Sequence, residues 1–226
     1  MPIRMNKKAE NGRDGSWQAE KSQLTRNSIM EAVIRCYIKA GYTNTTVAMI
    51  SEEAGVSRGA PMHHFETRLG LVKAAVAFIC ERRLQEFQDL ISESSSHSSG
   101  EVTKESMRET VDALWDFFHM PSYIAYQELL IASRTEKELE KIITPTQKKL
   151  NKSIKKIIGD LFPAWTGKES AQQVLMDLFF YCLQGIAMSN VTSKKPARVR
   201  KLLDHLVEEG MREFNATPQK SAKLVP

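Results

Sequence analysis

The sequence predicts an all-α chain: an N-terminal three-helix unit containing a helix-turn-helix, followed by a larger helical domain. Three observations carry that expectation. Apolar residues recur at three- and four-residue spacing along most of the 226 residues, and no alternating strand pattern competes. Gly41 and Gly55 stand where periodic segments stop. Thr45, Ser57, Thr144 and Thr166 stand where the next ones start, and each is a residue type that caps helices.

Residues 1–22 mix Gly, Asn and charge without periodicity, with Trp17 as the large apolar residue near their end, and are expected to form a flexible arm. The first amphipathic helix follows, with Ile29, Ala32, Val33, Cys36, Tyr37 and Ala40 on its apolar face, and stops at Gly41. A second pattern, Val47, Ile50 and Ala54, starts after Thr45 as N-cap and ends at Gly55, whose freedom to take positive φ suits a sharp turn. Ser57 is the expected cap of a third, short helix ending near Phe65. After a brief connector a long helix runs from Leu69 to about Ile91, with Val72, Val76, Ile79, Leu84 and Phe87 as its periodic residues.

The serine-rich stretch at 92–101 favours local side-chain bonds over packing and is expected to be a loop. Periodicity resumes at Val111, Leu114, Trp115 and Phe118, and again after Pro121. Thr144, Pro145 and Gln147 together make a helix-start signature before Leu150, Ile154, Ile157, Ile158 and Leu161. Thr166 and Glu169 repeat it before a helix over about 168–190. A last helix from about Pro196 to 213 carries Val199, Leu202, Leu203, Leu206 and Val207, and residues 217–226 form an expected flexible tail.

The formal net charge is +5, and residues 1–80 hold most of it, with 11 Lys/Arg against seven Asp/Glu. That excess permits phosphate binding by the N-terminal part without requiring it. No run of about 18 apolar residues and no secretory h-region is present, so a cytoplasmic protein without a membrane partner is expected. Cys36, Cys80 and Cys182 are odd in number, far apart and set in apolar helical patterns, which fits small buried hydrophobes in a reducing compartment.

Helix, glycine-containing turn, capped helix is the layout of a helix-turn-helix, whose second helix presents its N-terminal residues to base edges in the major groove. Over Thr25–Val76 the chain resembles the TetR family of bacterial transcriptional regulators. Ile29, Ala32, Gly41-Tyr42, Thr45-Thr46-Val47, Ile50, Ala54-Gly55-Val56-Ser57, Gly59-Ala60, His63, Phe65 and Leu71 carry the resemblance, in order and at the family's spacing.

The resemblance implies that Arg58, Gly59, Ala60, Met62 and His63 face the groove, and that Thr46, His64 and Arg68 lie near phosphates. Physical chemistry supports part of this independently. Arg58 suits a bidentate contact to guanine, Gly59 and Ala60 keep the helix slim, and Thr45 and Thr46 stand at a helix N-terminus that favours phosphate. Pro61-Met62 departs from the family's common Leu-Tyr, Arg68 replaces a usual lysine and Leu69 a usual acid. The operator sequence is therefore not legible.

The resemblance further implies a DNA-binding domain at 23–68 and a ligand-binding and dimerisation domain at 69–216, with a small-molecule effector and a palindromic operator as partners. The helices at about 168–190 and 196–213 are apolar over a wider arc than a monomer's surface needs, which suits a homodimer through these last two long helices. Trp115, Phe118, His119, Tyr123, Tyr126 and Gln184 combine aromatic bodies with polar tips, as a ligand pocket requires.

Other classes stay open on the residues alone. An αα-corner also serves adaptors that bind protein partners. An all-helical metal-binding enzyme is the further alternative, but Glu-x-x-His pairs, HExxH, GxSxG and a P-loop are absent, leaving Asp116 to His119 as a lone analogue. The expectation is a regulator that is not an enzyme, with no metal and no cofactor. His63 and His64 point about 100° apart on a helix and lack a third ligand in sequence.

Overall fold

The computed structural model describes residues 8–93, 103–161, 171–190 and 195–216, and every regular element among them is a helix. In order these are α1 (Lys8–Asn44), α2 (Val47–Ala54), α3 (Ala60–Phe65), α4 (Arg68–Glu93), α5 (Lys104–Phe117), α6 (Pro121–Ser133), α7 (Lys137–Leu161), α8 (Ala171–Asn190) and α9 (Pro196–Ala216). The serine-rich stretch lies almost wholly outside the described residues, as do the Thr166–Glu169 signature and the tail after Ala216.

The described residues gather into two compact units, Met1–Cys80 with Ala125–Thr146, and Glu81–Ile124 with Gln147–Pro226. The chain passes from one to the other inside α4, α6 and α7. No local signal marked Ala125–Thr146 as companions of the N-terminal residues.

In the first unit α1 supplies the apolar face expected of it, with Ile29, Ala32, Val33, Cys36 and Tyr37 all 3% exposed or less. It breaks at Gly41, whose φ of 75° and ψ of 162° is a conformation essentially reserved to glycine. Residues 8–22 continue α1 rather than lacking regular structure. Trp17 is 60% exposed, so this extension gains little burial from its large apolar residue. Its helicity follows from propagation off the packed segment, since each added residue gains one backbone bond without a new nucleus.

The second unit is built on α5, α8 and α9. Thr103 and Ser106 form a reciprocal capping box at the start of α5. Gly210 of α9 has no Cβ where one would come 3.0 Å from Phe179 of α8 and 3.1 Å from the Met107 sulfur of α5. Arg83 is 4% exposed, with its guanidinium 5.7 Å from the Phe117 ring centre and 5.0 Å from that of Tyr123.

Three further expectations are corrected. Pro145 does not start a helix: α7 runs through it, because Leu139, Ile143, Leu150 and Ile154 are buried on both sides and hold the helix across the lost bond. The Thr146 hydroxyl donates to the carbonyl of Ile142 there. Cys182 is exposed, unlike buried Cys36 and Cys80, because the α8 face bearing it is apolar yet uncovered within one chain. The third correction concerns the caps of α2 and α3.

Candidate nucleic-acid interface

α2 is capped by Thr46, one residue later than expected, with its hydroxyl oxygen accepting from the Met49 N–H at 3.2 Å. Thr45 is 5% exposed and its hydroxyl donates to the Gly41 carbonyl at 2.7 Å. It closes the turn after the α1 break, so its side chain is turned inward and only Thr46 is offered to solvent at this helix start.

The turn between α2 and α3 is held from both sides. Val56 N–H donates to the Ser51 carbonyl at 3.0 Å and Gly55 N–H to Glu52 at 3.1 Å, the two bonds of a Schellman motif with Gly55 at φ 66°. The Ser51 hydroxyl is buried at its core and reaches the carbonyls of Val47 at 2.9 Å and Arg58 at 3.5 Å. Ser28 of α1 donates to the Ala54 carbonyl at 3.3 Å.

α3 begins at Ala60 with Gly59 as N-cap and no side-chain cap, so Ser57 does not have the expected role. The Ser57 carbonyl accepts from Ala60 N–H at 3.0 Å, closing a tighter turn that precedes the helix and carries Arg58. Pro61 and Phe65, four residues apart, are the buried side of α3. Arg58, Gly59 and His63 are exposed, whereas Ala60, Met62 and His64 are partly covered. The sequence expectation thus divides into an exposed set at the start and middle of the helix and a half-buried set beside it.

His64 lies against its neighbours. Burial, then the adjacent His63 and Arg26, push its imidazole below the ordinary value, so at neutral pH it offers an N–H rather than a positive charge. On the α1–α2 side, Glu53 bridges Lys39 and Arg35 at 2.6 Å each, and these bonds hold its carboxyl below the usual carboxylate range.

The joint after α3 is tight. Thr67 N–H donates to the Phe65 carbonyl at 2.6 Å, making Glu66, at φ 61° and ψ −46°, the centre of a γ-turn of the rarer, strained kind. Thr67 Oγ1 then accepts from the Gly70 N–H at 2.9 Å and starts α4. A Cβ on Gly70 would stand 2.2 Å from the Phe65 carbonyl oxygen. Arg68 is exposed in that first turn. No local signal marks Gly70, whose role depends on a carbonyl five residues away.

Beyond the three helices, the same unit presses residues of Ala125–Thr146 on the break after α1. Glu128 Oε2 lies 3.1 Å from where a Gly41 Cβ would be. Burial and then the Glu136 carboxylate raise the Tyr42 phenol above its ordinary value.

Comparison with known proteins agrees with this geometry. The family model for bacterial regulatory proteins of the tetR family matches residues 29–75, which spans α1 from its first buried residue to the start of α4. The HTH-type transcriptional regulator CymR of Pseudomonas putida is 24% identical over 194 residues, 84% of this chain and 91% of that protein. Over its helix-turn-helix the chain is similar to the TetR family.

Other relatives sharpen where the likeness lies. The HTH-type transcriptional regulator TtgR, also of Pseudomonas putida, is 47% identical over 55 residues, 24% of this chain and 26% of its own length. A transcriptional regulator from Rhodococcus sp. Rha1 shares the fold with a TM-score of 0.61 at 17% identity, covering 83% of this chain and 96% of its own. A TetR-family structure from Mesorhizobium loti does so at 0.63 and 14%, covering 83% and 95%. The likeness is to helix-turn-helix transcriptional regulators.

Of the residues expected at a pocket, Phe118 and Tyr123 are 2% exposed and their rings meet edge-on at 4.9 Å, as Phe118 and Phe180 do at the same distance. Trp115 and Gln184 are partly covered. His119 is exposed, with its Nδ1 2.7 Å from the Trp115 carbonyl oxygen. Tyr126 is 3% exposed and belongs to the other compact unit. Among the described residues no group of three or more His, Cys, Asp or Glu stands where it would hold a metal ion, and no helix is long and apolar enough to cross a membrane.

Proposed function

We propose that this chain is a homodimeric, ligand-responsive repressor of the TetR family that reads a palindromic operator and leaves it when a small-molecule effector binds. The observation that carries the proposal is the contrast between the buried side of α3, Pro61 and Phe65, and the exposed turn that leads into it, Arg58 and Gly59, with no capping side chain in the way. A helix of six residues gains little from burial, and its open N-terminal side is shaped for base edges. In this reading Arg58, Gly59, Ala60, Met62 and His63 meet the groove, and Thr46, His64 and Arg68 meet phosphates.

The dimer reading is supported by α8, where Val174, Leu178, Tyr181 and Met188 are 40% exposed or more. With exposed Gly185 they step by four and three residues, the spacing of a helix seam. A second copy of α8, together with α9, would cover this face and set two reading heads on one face of DNA in the cytoplasm. The effector would occupy the neighbourhood of Trp115, Phe118, His119, Tyr123 and Gln184. It acts by binding the two states of the dimer with different affinity, since equal affinity shifts nothing. α4, which belongs to both units, is the natural transmitter.

Selection of bound sequences from a random duplex pool, with wild type beside Arg58→Ala and with salt varied, tests the proposal. An inverted repeat, with Arg58→Ala losing roughly 1–3 kcal/mol at one symmetric position, supports it. Sequence-blind binding with and without candidate effectors would favour an adaptor that uses the helix-turn-helix to bind protein.

A further inference from the structure

α7 is basic on one side from Lys148 to Lys156 and has no acidic residue within that stretch. Between Glu140 and Asp160 the sequence has no Asp or Glu, yet Lys148, Lys149, Lys152, Lys155 and Lys156 fall within nine positions. All five are exposed. At 100° per residue they occupy an arc of about 120°. The opposite side is buried, with Leu150 and Ile154 at 4% and 9% exposure.

The N-terminal part of the same helix is built differently. There Lys137 pairs with Glu140 at 3.0 Å and Lys141 with Glu138 at 2.6 Å. Among the described residues no acidic side chain lies within ion-pair distance of any of the five later lysines. Lys148 and Lys152, Lys152 and Lys155, and Lys152 and Lys156 stand at helical spacings where like charges repel and disfavour the helix. A polyanion laid along this face would remove that repulsion.

We propose that the lysine face of α7 is a docking surface for the phosphate backbone of duplex DNA, indifferent to base sequence and additional to the base-reading helix. The proposal rests on the reading of the chain as a DNA-binding regulator, which makes DNA the polyanion it meets. The five lysines extend over about 12 Å of helix, against a duplex that carries one negative charge per about 1.7 Å of axis. Lysine ammonium groups on flexible stems suit phosphates whose register varies, whereas planar arginine forks suit a single geometry. An anionic lipid surface offers the same charge, but a helix that lies in a membrane needs a free apolar side, and here Leu150 and Ile154 are packed away.

The test uses the full chain and compares wild type with a triple variant, Lys148→Gln, Lys152→Gln and Lys155→Gln, and with the matching Lys→Arg triple. Circular dichroism melts first establish that both fold. Fluorescence anisotropy on a duplex of random sequence across a KCl series then reads the slope of log affinity against log salt. The Gln variant is expected to lose about 2 to 3 from the magnitude of that slope, and the Arg variant to retain it. An unchanged slope in a folded Gln variant overturns the proposal, and so does a loss confined to binding of phosphatidylglycerol vesicles. Arg58→Ala, measured in parallel on selected and random duplexes, reports on the base-reading helix alone. If it matches wild type and neither prefers any sequence, the regulator reading fails while the slope still decides the lysine face.

Discussion

Arg26 of α1 holds the far end of α3: its guanidinium donates to the His64 carbonyl at 3.1 Å and lies 4.3 Å from the centre of the Phe65 ring. One charged hydrogen bond and one cation–π contact of ordinary size together predict that Arg26→Ala costs about 1–2 kcal/mol. Urea unfolding should show a lower midpoint with an unchanged slope. Arg26→Lys should recover little, because an ammonium cannot donate sideways while stacking flat. A midpoint equal to wild type for Arg26→Ala would show that the contact adds nothing net.

Gly59 and Gly70 predict opposite outcomes for one substitution. A Cβ at Gly59 meets nothing within 4 Å and its φ of −84° is ordinary, so Gly59→Ala should leave stability unchanged or slightly raised. At Gly70 the Cβ would meet the Phe65 carbonyl oxygen at 2.2 Å, and that carbonyl is part of the γ-turn through Glu66, so the joint must shift. Gly70→Ala should destabilise by about 1–3 kcal/mol, as overpacking does. Because Gly59→Ala spares the fold, any fall in its operator affinity reports on crowding at the DNA. Equal melting temperatures for the two variants would contradict the steric argument.

Glu86 predicts a pH dependence. Burial raises its carboxyl above the ordinary value, against the opposing bond from the Ser122 hydroxyl and the nearby Arg82 and Arg83. The fold therefore favours the protonated form, and stability from this group is present at low pH and lost as pH rises through the folded value. Glu86→Gln keeps an acceptor for Ser122 and never ionises. It should melt higher than wild type at neutral pH, and the gap should close as pH falls to about 4. A gap that stays constant across that range would mean the effect is packing and not charge.

Leu178 sits 55% exposed in the α8 seam, next to Val174 and Tyr181. If a second copy covers this seam, Leu178→Glu buries an unpaired carboxylate in the interface and should give monomers by sedimentation equilibrium. Operator affinity should fall with it, since a palindrome read by one head loses half its contacts. In a monomeric protein the same change is a surface substitution worth within about 0.5 kcal/mol. A wild type that already sediments as a monomer would end the dimer reading.

Much of the helix-turn-helix was legible because its determinants are local. Gly41 and Gly55 break helices at positive φ, Ile29 to Tyr37 mark a buried stripe, and Phe65 and Tyr42 close the small core. Caps were legible only to within a residue or two. Thr45 and Thr46 both qualify chemically, and the Gly41 break decides between them by taking the Thr45 hydroxyl. Ser57 yields its expected place to Gly59 because the chain first makes a tight turn that exposes Arg58.

Elsewhere local signals misled where packing outweighed them. Thr144, Pro145 and Gln147 are a sound helix start, yet buried residues on both sides carry α7 through. Gly70 carries no local mark at all; its lack of a side chain matters only once the γ-turn brings the Phe65 carbonyl against it.

The sequence by itself determined the all-helical class, the order of the segments, the TetR-like motif and the basic run on α7, because helix period, glycine conformation and charge are properties of neighbours a few residues apart. Only the tertiary structure decided that Ala125–Thr146 keeps company with the N-terminal helices, that Arg26 reaches His64, and that α8 leaves an apolar seam exposed. Those facts depend on which surfaces meet across tens of residues, where burial of apolar area and the pairing of buried polar groups act together and no short stretch of chain records the result.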